Sequence, residues 1–449
     1  MGASAGSSPA MSYNKAETSL GQSASLTGVA EKYAHLFASL GALIVADRWL
    51  RAQFVAQAWT FPAPLAGMFA IFTTLCVLSA TSPGLADKIM DAFRPALNWI
   101  ATWLPLFYLP TLVVLPTALS GIPAAALGKI GGIVLGGMVV SLLFTAQAAV
   151  FIRKFSSAQA MPVQAAKKSS PYNKWHWYGW SASAACALAA SMALSGDQAT
   201  AARTLYMLSM TVIGHLVGNT LVPPQLQKVF HPIITTCLVA QAGIVGLAAA
   251  SGDTVTTVMQ AYLTKNPNAM GAGDLLMSML GCVILSFGFR VYEQRAIMQR
   301  HAVEIAGATV SSAAFSMMST AVVGRLIGLD PNLTLSIVPR CVTVALALPI
   351  AQQLGAEQLT ITATAVLVTG LVGANFAQTL LDRFKFKDPI VRGLATAGSS
   401  HGLGTAALAA KEPEALPYCA LAYALIGIIS TLLCCIPMFR EVILSLAGA

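Results

Sequence analysis

The sequence predicts an all-α polytopic membrane protein of about 12–13 transmembrane segments, with an inverted repeat of interrupted helices in its C-terminal block. Three observations carry the prediction. Hydrophobic residues make up 56% of the chain and charged residues 10%, against about 25% charged in ordinary soluble domains. A single globular core cannot hide that much apolar surface. Apolar windows of about 17–25 residues, the length that crosses a bilayer, recur along the whole chain. Lys and Arg gather in a few short stretches between those windows, as orienting loop charges do.

The windows fall in order at 33–52, 63–82, 96–119, 127–152, 178–195, 203–222, 230–250, 274–290, 303–328, 336–354, 358–381, 390–410 and 416–438. Before them, residues 1–32 are rich in Ser, Ala and Gly and read as a disordered tail or a transit remnant. A polar, basic linker, "RKFSSAQAMPVQAAKKSSPYNKW" (153–175), separates a first block of about four spans (33–152) from a second block (176–449). Arg153, Lys154, Lys167, Lys168 and Lys174 assign this linker to the positive-inside face. Counting spans places "RVYEQRAIMQRH" (290–301) on the same face and "DRFKFKDPIVR" (382–392) on the opposite one. Two basic loops on opposite faces imply either a miscounted span or a re-entrant one between them.

A net charge of +9 is thus explained by loops, and no basic face with stacking aromatics points to nucleic acid. The eight cysteines sit mostly singly in apolar runs, which is neither a disulfide framework nor a metal-ligand spacing. No metal or cofactor is expected. No GxSxG, HExxH, P-loop or phosphate-binding GxGxxG is present. Ser400 and His401, adjacent in sequence, do not face each other on a helix, so they do not form a hydrolase pair. The chain is therefore expected not to be an enzyme.

In the second block, "PQLQKVFHPIITTC" (224–237) aligns without a gap to "PNLTLSIVPRCVTV" (331–344) at an offset of 107. Pro224/Pro331, Leu226/Leu333, Pro232/Pro339 and Thr236/Thr343 coincide. Three spans separate the copies, which would give them opposite orientations. Interrupted helices in inverted repeats form the binding sites of many secondary transporters.

The stretch "RGLATAGSSHGLGTAALAAK" (392–411) carries the most chemistry. Gly398, Gly402 and Gly404 favour unwinding, and a broken helix at bilayer depth survives only against protein or a water-filled cavity. A break there frees the N–H groups of a new half-helix near Gly404–Thr405–Ala406, at the positive end of its dipole, and this suits a small anion. Ser399, Ser400 and Thr405 add hydroxyls. His401 adds a group that titrates near neutral pH and is the candidate for a coupled proton. Arg340, after Pro339 in "SIVPRCVT", is a cation within an apolar window, and its planar fork matches a carboxylate. Thr343, Asn219, His215, Thr235, Thr236, Asn375 and Gln378 are further polar residues placed to line a cavity. Lys411, Glu412 and Glu414 read as a short charged loop, and Asp330 and Asp388 as turn formers.

"RGLATAGSSHGLGTAAL", "SIVPRCVTVALALPI", "FHPIITTCLVA" and "TATAVLVTGLVGANF" resemble, in order, the signature segments of LrgB/CidB-like membrane proteins. The first block, with "FPAPLAGMFAIF" and "WLPLFYLPTLVVLP", is similar to their LrgA/CidA partners, here fused in one chain. The fusion and "HGLGTAALAAKEPEALPYCALAYAL" resemble the plastid members of that family. Two departures stand out: Cys341 follows Arg340 where bacterial members typically have Ser, and Gly281–Cys282 replaces a proline. The resemblance implies carriage of two- and three-carbon 2-hydroxy acids, glycolate and glycerate, across the chloroplast inner envelope. On that reading Arg340 and half-helix N–H groups meet the carboxylate, and Ser400, Thr405, Thr343 and Asn375 meet the hydroxyls. The first block would then be a scaffold or dimerisation platform of a homodimer. The competing expectations are a holin-like or regulatory membrane protein, and a carrier of another small monocarboxylate such as pyruvate.

Overall fold

The computed structural model describes residues 26–59, 61–156, 159, 171–223, 225–228 and 230–449. The tail up to residue 25, most of the linker with Lys167 and Lys168, and Pro224 of the repeat lie outside the described residues. The described residues form helices and no strands. The first block comprises α1 (Leu26–Ala56), α2 (Ala63–Thr81), α3 (Pro83–Tyr108), the short α4 (Pro110–Val113) and α5 (Leu115–Leu119), and α6 (Ala124–Arg153). The second begins with α7 (Lys174–Ala193), α8 (Gly196–Leu216) and α9 (Pro232–Ser251), then α10 (Val255–Tyr262), α11 (Ala272–Met277), α12 (Leu280–Glu293) and α13 (Arg295–Arg300). It continues with α14 (Ala302–Leu326), α15 (Pro331–Ile337), α16 (Val344–Gln353), α17 (Leu359–Arg383), α18 (Pro389–Lys411), α19 (Leu416–Cys435) and α20 (Pro437–Ala447).

Helices α6 and α14 set the frame. They run antiparallel: Lys129 Nζ donates to Gly328 O at 2.7 Å, Thr145 Oγ1 to Ser312 Oγ at 2.9 Å, and Arg153 pairs with Glu304 at 3.2 Å. Phe144 stacks on Phe315 with centroids 3.7 Å apart. One membrane face therefore holds Lys129 and Gly328. The other, the basic face, holds Arg153, Arg300 and Glu304. Asp388 joins the basic face through a 2.9 Å ion pair to Arg153.

Two elements in the second block enter the membrane and turn back. Asn332, at the start of α15, accepts a 3.1 Å hydrogen bond from Glu357 N, beyond the end of α16. Twenty-five residues in one continuous helix would separate them by about 37 Å. The chain therefore reverses between α15 and α16, at the non-helical Pro339–Thr343, and returns to the Gly328 face. In α18, Arg392 Nε donates to Glu412 Oε2 at 2.7 Å, again across a stretch that would span about 30 Å as one helix. Its reversal is at His401, whose φ of 41° and ψ of −139° interrupt the helix. Built methyls confirm the fold-back, since one on Gly404 would meet Thr396 Cγ2 at 2.8 Å and one on Gly393 would meet Ala415 O at 2.5 Å. The two re-entrant hairpins, α15–α16 and the two halves of α18, enter from opposite faces.

This corrects the span count and the face of one loop. Among the described residues, eight segments are long and apolar enough to cross a membrane: Ala63–Thr81, Pro83–Leu119, Ala124–Arg153, Pro232–Ser251, Ala272–Glu293, Ala302–Leu326, Leu359–Arg383 and Leu416–Cys435. The windows at 336–354 and 390–410 are the re-entrant hairpins, and α1, α7 and α8 are as long but more polar. With 336–354 not crossing, loop 382–392 falls on the same basic face as Arg153 and residues 290–301, not opposite them. The opposed interruptions are thus 331–353 and 389–411. The copy at 224–237 instead runs into the unbroken twenty-residue α9.

Candidate functional site

The apices of both hairpins open on one cavity of about 450 Å³. The first contributes Thr343 and Val344, and the second His401, Gly402, Leu403, Thr405 and Ala406. Helix α9 adds His231, Pro232 and Ile233, α8 with the π-turn that follows it adds His215 and Asn219, and α19 adds Leu416 and Tyr423. Three helix N-termini converge here: those of α9, α16 and the second half of α18. The first N–H groups of a helix lack intrahelical acceptors, and its N-terminus carries partial positive charge. Among the described residues no Asp or Glu lines the cavity. Convergent N–H donors with no competing carboxylate make it suited to a small anion.

His401 is fixed from behind. Its Nε2 donates to Val366 O on α17 at 3.0 Å; a carbonyl only accepts, so this nitrogen carries the proton. The ring packs on Gly370, where a methyl would lie 2.6 Å from Nε2, and Ser400 packs on Gly373 in the same way. A positive φ at a non-glycine residue costs about 1–3 kcal/mol and persists only where the surroundings impose it. Here the Val366 bond and the two α17 glycines do so. Thr405 Oγ1 donates to His401 O at 3.1 Å, so the new half-helix starts at Gly402, slightly before the expected Gly404.

Of the sequence-predicted residues, His215, Asn219, Thr343, His401, Gly402 and Thr405 line this cavity. The others do not. Gly404 lies between the arms of its hairpin, and Ser399 and Ser400 are buried there with their Oγ atoms 2.9 Å apart. Asn375 Nδ2 bonds Leu371 O, and Thr236 Oγ1 bonds Pro232 O, each on its own helix. Thr235 is half-buried on α9. Sequence reasoning missed His231 and Tyr423. His231 Nδ1 caps α9 by accepting from Ile233 N at 3.3 Å, and the histidine directly before Pro232 was the available signal.

Arg340 is turned to the other side of the Pro339–Thr343 segment. It is 1% exposed and is the largest fully buried side chain of the described residues. Nε donates to Thr320 Oγ1, Nη1 to Cys341 Sγ and Nη2 to Ser141 Oγ, each at 3.1 Å. Among the described residues it has no ion-pair partner. It borders a second cavity, of about 370 Å³, that reaches along α6 to Lys129 near the Gly328 face.

A buried cation without a carboxylate, two hairpins entering from opposite faces, and a cavity at their apices narrow the choice of family. The LrgB-like family model matches residues 211–439, the part of the chain that contains both hairpins. The chain belongs to the LrgB-like family. Within it, the chain is 46% identical over 416 residues, 92% of its own length and 81% of the relative's, to plastidal glycolate/glycerate translocator 1, chloroplastic, of Arabidopsis thaliana. It is 28% identical over 172 residues to antiholin-like protein LrgB of Bacillus cereus (strain B4264), covering 38% of this chain and 73% of that protein. An uncharacterized protein of Haemophilus influenzae matches at 29% over 164 residues, 36% of this chain and 71% of that protein. No solved structure matches. This LrgB-like protein is a multi-pass helical membrane protein.

Proposed function

We propose that this protein is a secondary carrier that moves the small 2-hydroxycarboxylates glycolate and glycerate across the plastid inner envelope by alternating access. The observation that carries this reading is the meeting of two opposed re-entrant hairpins at one acid-free cavity ringed by three helix N-termini. The name of the 46% identical relative supplies the substrates and the compartment. A cavity of about 450 Å³ holds either acid with room for water, given about 30 Å³ per water molecule.

In this cavity the half-helix N–H groups recognise the carboxylate while Thr343, Thr405 and Asn219 meet the hydroxyls; Arg340, on the far side of the Pro339–Thr343 segment, meets the carboxylate in the second cavity. His401, with Nδ1 unengaged by the Val366 bond, accepts or donates on the cavity side and is the candidate for proton coupling. The Pro339–Thr343 segment presents Thr343 to one cavity and Arg340 to the other, so small movements of the hairpins expose the site to either face. The process is translocation, with no covalent step, and we read the protein as a carrier rather than an enzyme. We read its assembly as a homodimer.

The test is uptake of labelled glycolate and glycerate into proteoliposomes, with unlabelled glycolate, glycerate and pyruvate as competitors. Saturable uptake with mutual competition between the two hydroxy acids supports the reading. Flux that does not saturate indicates a pore or regulator and overturns it.

A further inference from the structure

Arg340 belongs to the part of the chain that matches the LrgB-like family, yet two of its immediate neighbours come from α6 in the first block. Ser141 accepts from Nη2. Gly137 makes room: a methyl built on it would lie 2.5 Å from Nη2 and 2.6 Å from Cζ. The guanidinium is the far end of a flexible side chain, so such a methyl displaces the charge rather than the backbone.

An arginine carries five N–H donors. Three have partners, which leaves one on each terminal nitrogen. A charge at membrane depth with no counter-ion among the described residues is costly, and an anion that pairs with both remaining donors removes the cost. The cavity beside it leads from Arg340 past Gly136 and Gly132 to Lys129, a second cation near the membrane face.

We infer that the first block is part of the transport site rather than a scaffold, with Gly137 and Ser141 as positioning residues that hold Arg340 for a small monocarboxylate entering along α6 from the Lys129 end. This rests on the carrier reading above for its substrate class, but not for the seat itself.

The experiment compares wild type, Ser141→Ala, Ser141→Thr, Gly137→Ala and Gly131→Ala in glycolate uptake, and in the shift of melting temperature that glycolate gives the detergent-solubilised protein. Gly131 is the control, with nothing within 4 Å of a built methyl. Losing one hydrogen bond to a charged group is worth about tenfold, so Ser141→Ala raises the glycolate KM about tenfold with Vmax kept. It lowers the ligand-free melting temperature, because a donor of the buried guanidinium loses its partner, and it weakens the glycolate-induced shift as well. Ser141→Thr restores both readouts. Gly137→Ala raises KM at least as much, and Gly131→Ala behaves as wild type. Wild-type KM and ligand shift in both Ser141→Ala and Gly137→Ala overturn the inference. If glycolate does not stabilise even wild type, the substrate reading fails separately. In that case formate is the probe: a shift present in wild type and lost in Ser141→Ala still supports the seat, and no shift in wild type overturns it.

Discussion

Replacing Glu412 with Gln tests whether the second hairpin is closed at its base. Arg392 is buried and holds Glu412 with two nitrogens, while its Nη1 also donates to Asp382 and to Phe386 O, both at 2.8 Å. At 2.7 Å and an effective dielectric of about 20, the gross attraction between unit charges is about 6 kcal/mol. Desolvation of both groups offsets most of this, and Glu412 retains 21% side-chain exposure, which screens it further. A hydrogen bond to a charged group nets about 1.5–3 kcal/mol. The Gln keeps one acceptor, so the expected loss is about 2 kcal/mol. Unfolding of Glu412→Gln, Arg392→Gln and the double variant in detergent gives the coupling energy directly. A coupling of about 2 kcal/mol is expected. A coupling indistinguishable from zero would refute the closed base, and with it the reversal at His401.

Sidedness gives an independent check of the same reversal. In a cysteine-free background, Lys387→Cys and Lys411→Cys should react with an impermeant maleimide from the same face, since both border one surface pocket with Arg392 and Glu412; a continuous helix would put them about 36 Å apart. At the first hairpin, Asn332→Ala removes the Glu357 N bond and the cap-side packing, and chemical unfolding should show a loss of about 1 kcal/mol. Gly370→Ala drives a methyl into the His401 ring, so it should cost about 1–3 kcal/mol by overpacking and depress uptake. The exposed Gly84, with nothing within 4 Å of a built methyl, should accept Ala without loss of uptake.

Much of this arrangement could be read from the chain because its causes are local. Hydropathy identified the helical membrane class, and the glycines flanking His401 pointed to the break that the structure puts at that residue. Asp330 and Asp388 act as expected of turn formers: each caps the helix that follows, accepting from Asn332 N and Leu333 N and from Ile390 N. The two basic loops on opposite faces already implied either a miscounted span or a re-entrant one. Which windows turned back was not legible, because that depends on Asn332 meeting Glu357 and Arg392 meeting Glu412, pairs twenty or more residues apart. Glu412 in isolation reads as a loop charge. The orientation of Arg340 was hidden for the same reason: Ser141 lies 199 residues away, and only packing of α6 against α14 brings it near. His231 before Pro232 marks the start of α9 in the sequence, but that this start meets the hairpin apices is a tertiary placement.

The most direct test of the carrier account is glycolate and glycerate uptake into proteoliposomes by wild type, Arg340→Ala and His401→Ala, with and without an imposed pH gradient. The account predicts saturable, mutually competitive uptake in wild type and its loss in Arg340→Ala. It also predicts that any acceleration by the gradient disappears in His401→Ala. Uptake that saturates equally in all three proteins, or flux that saturates in none, would contradict it.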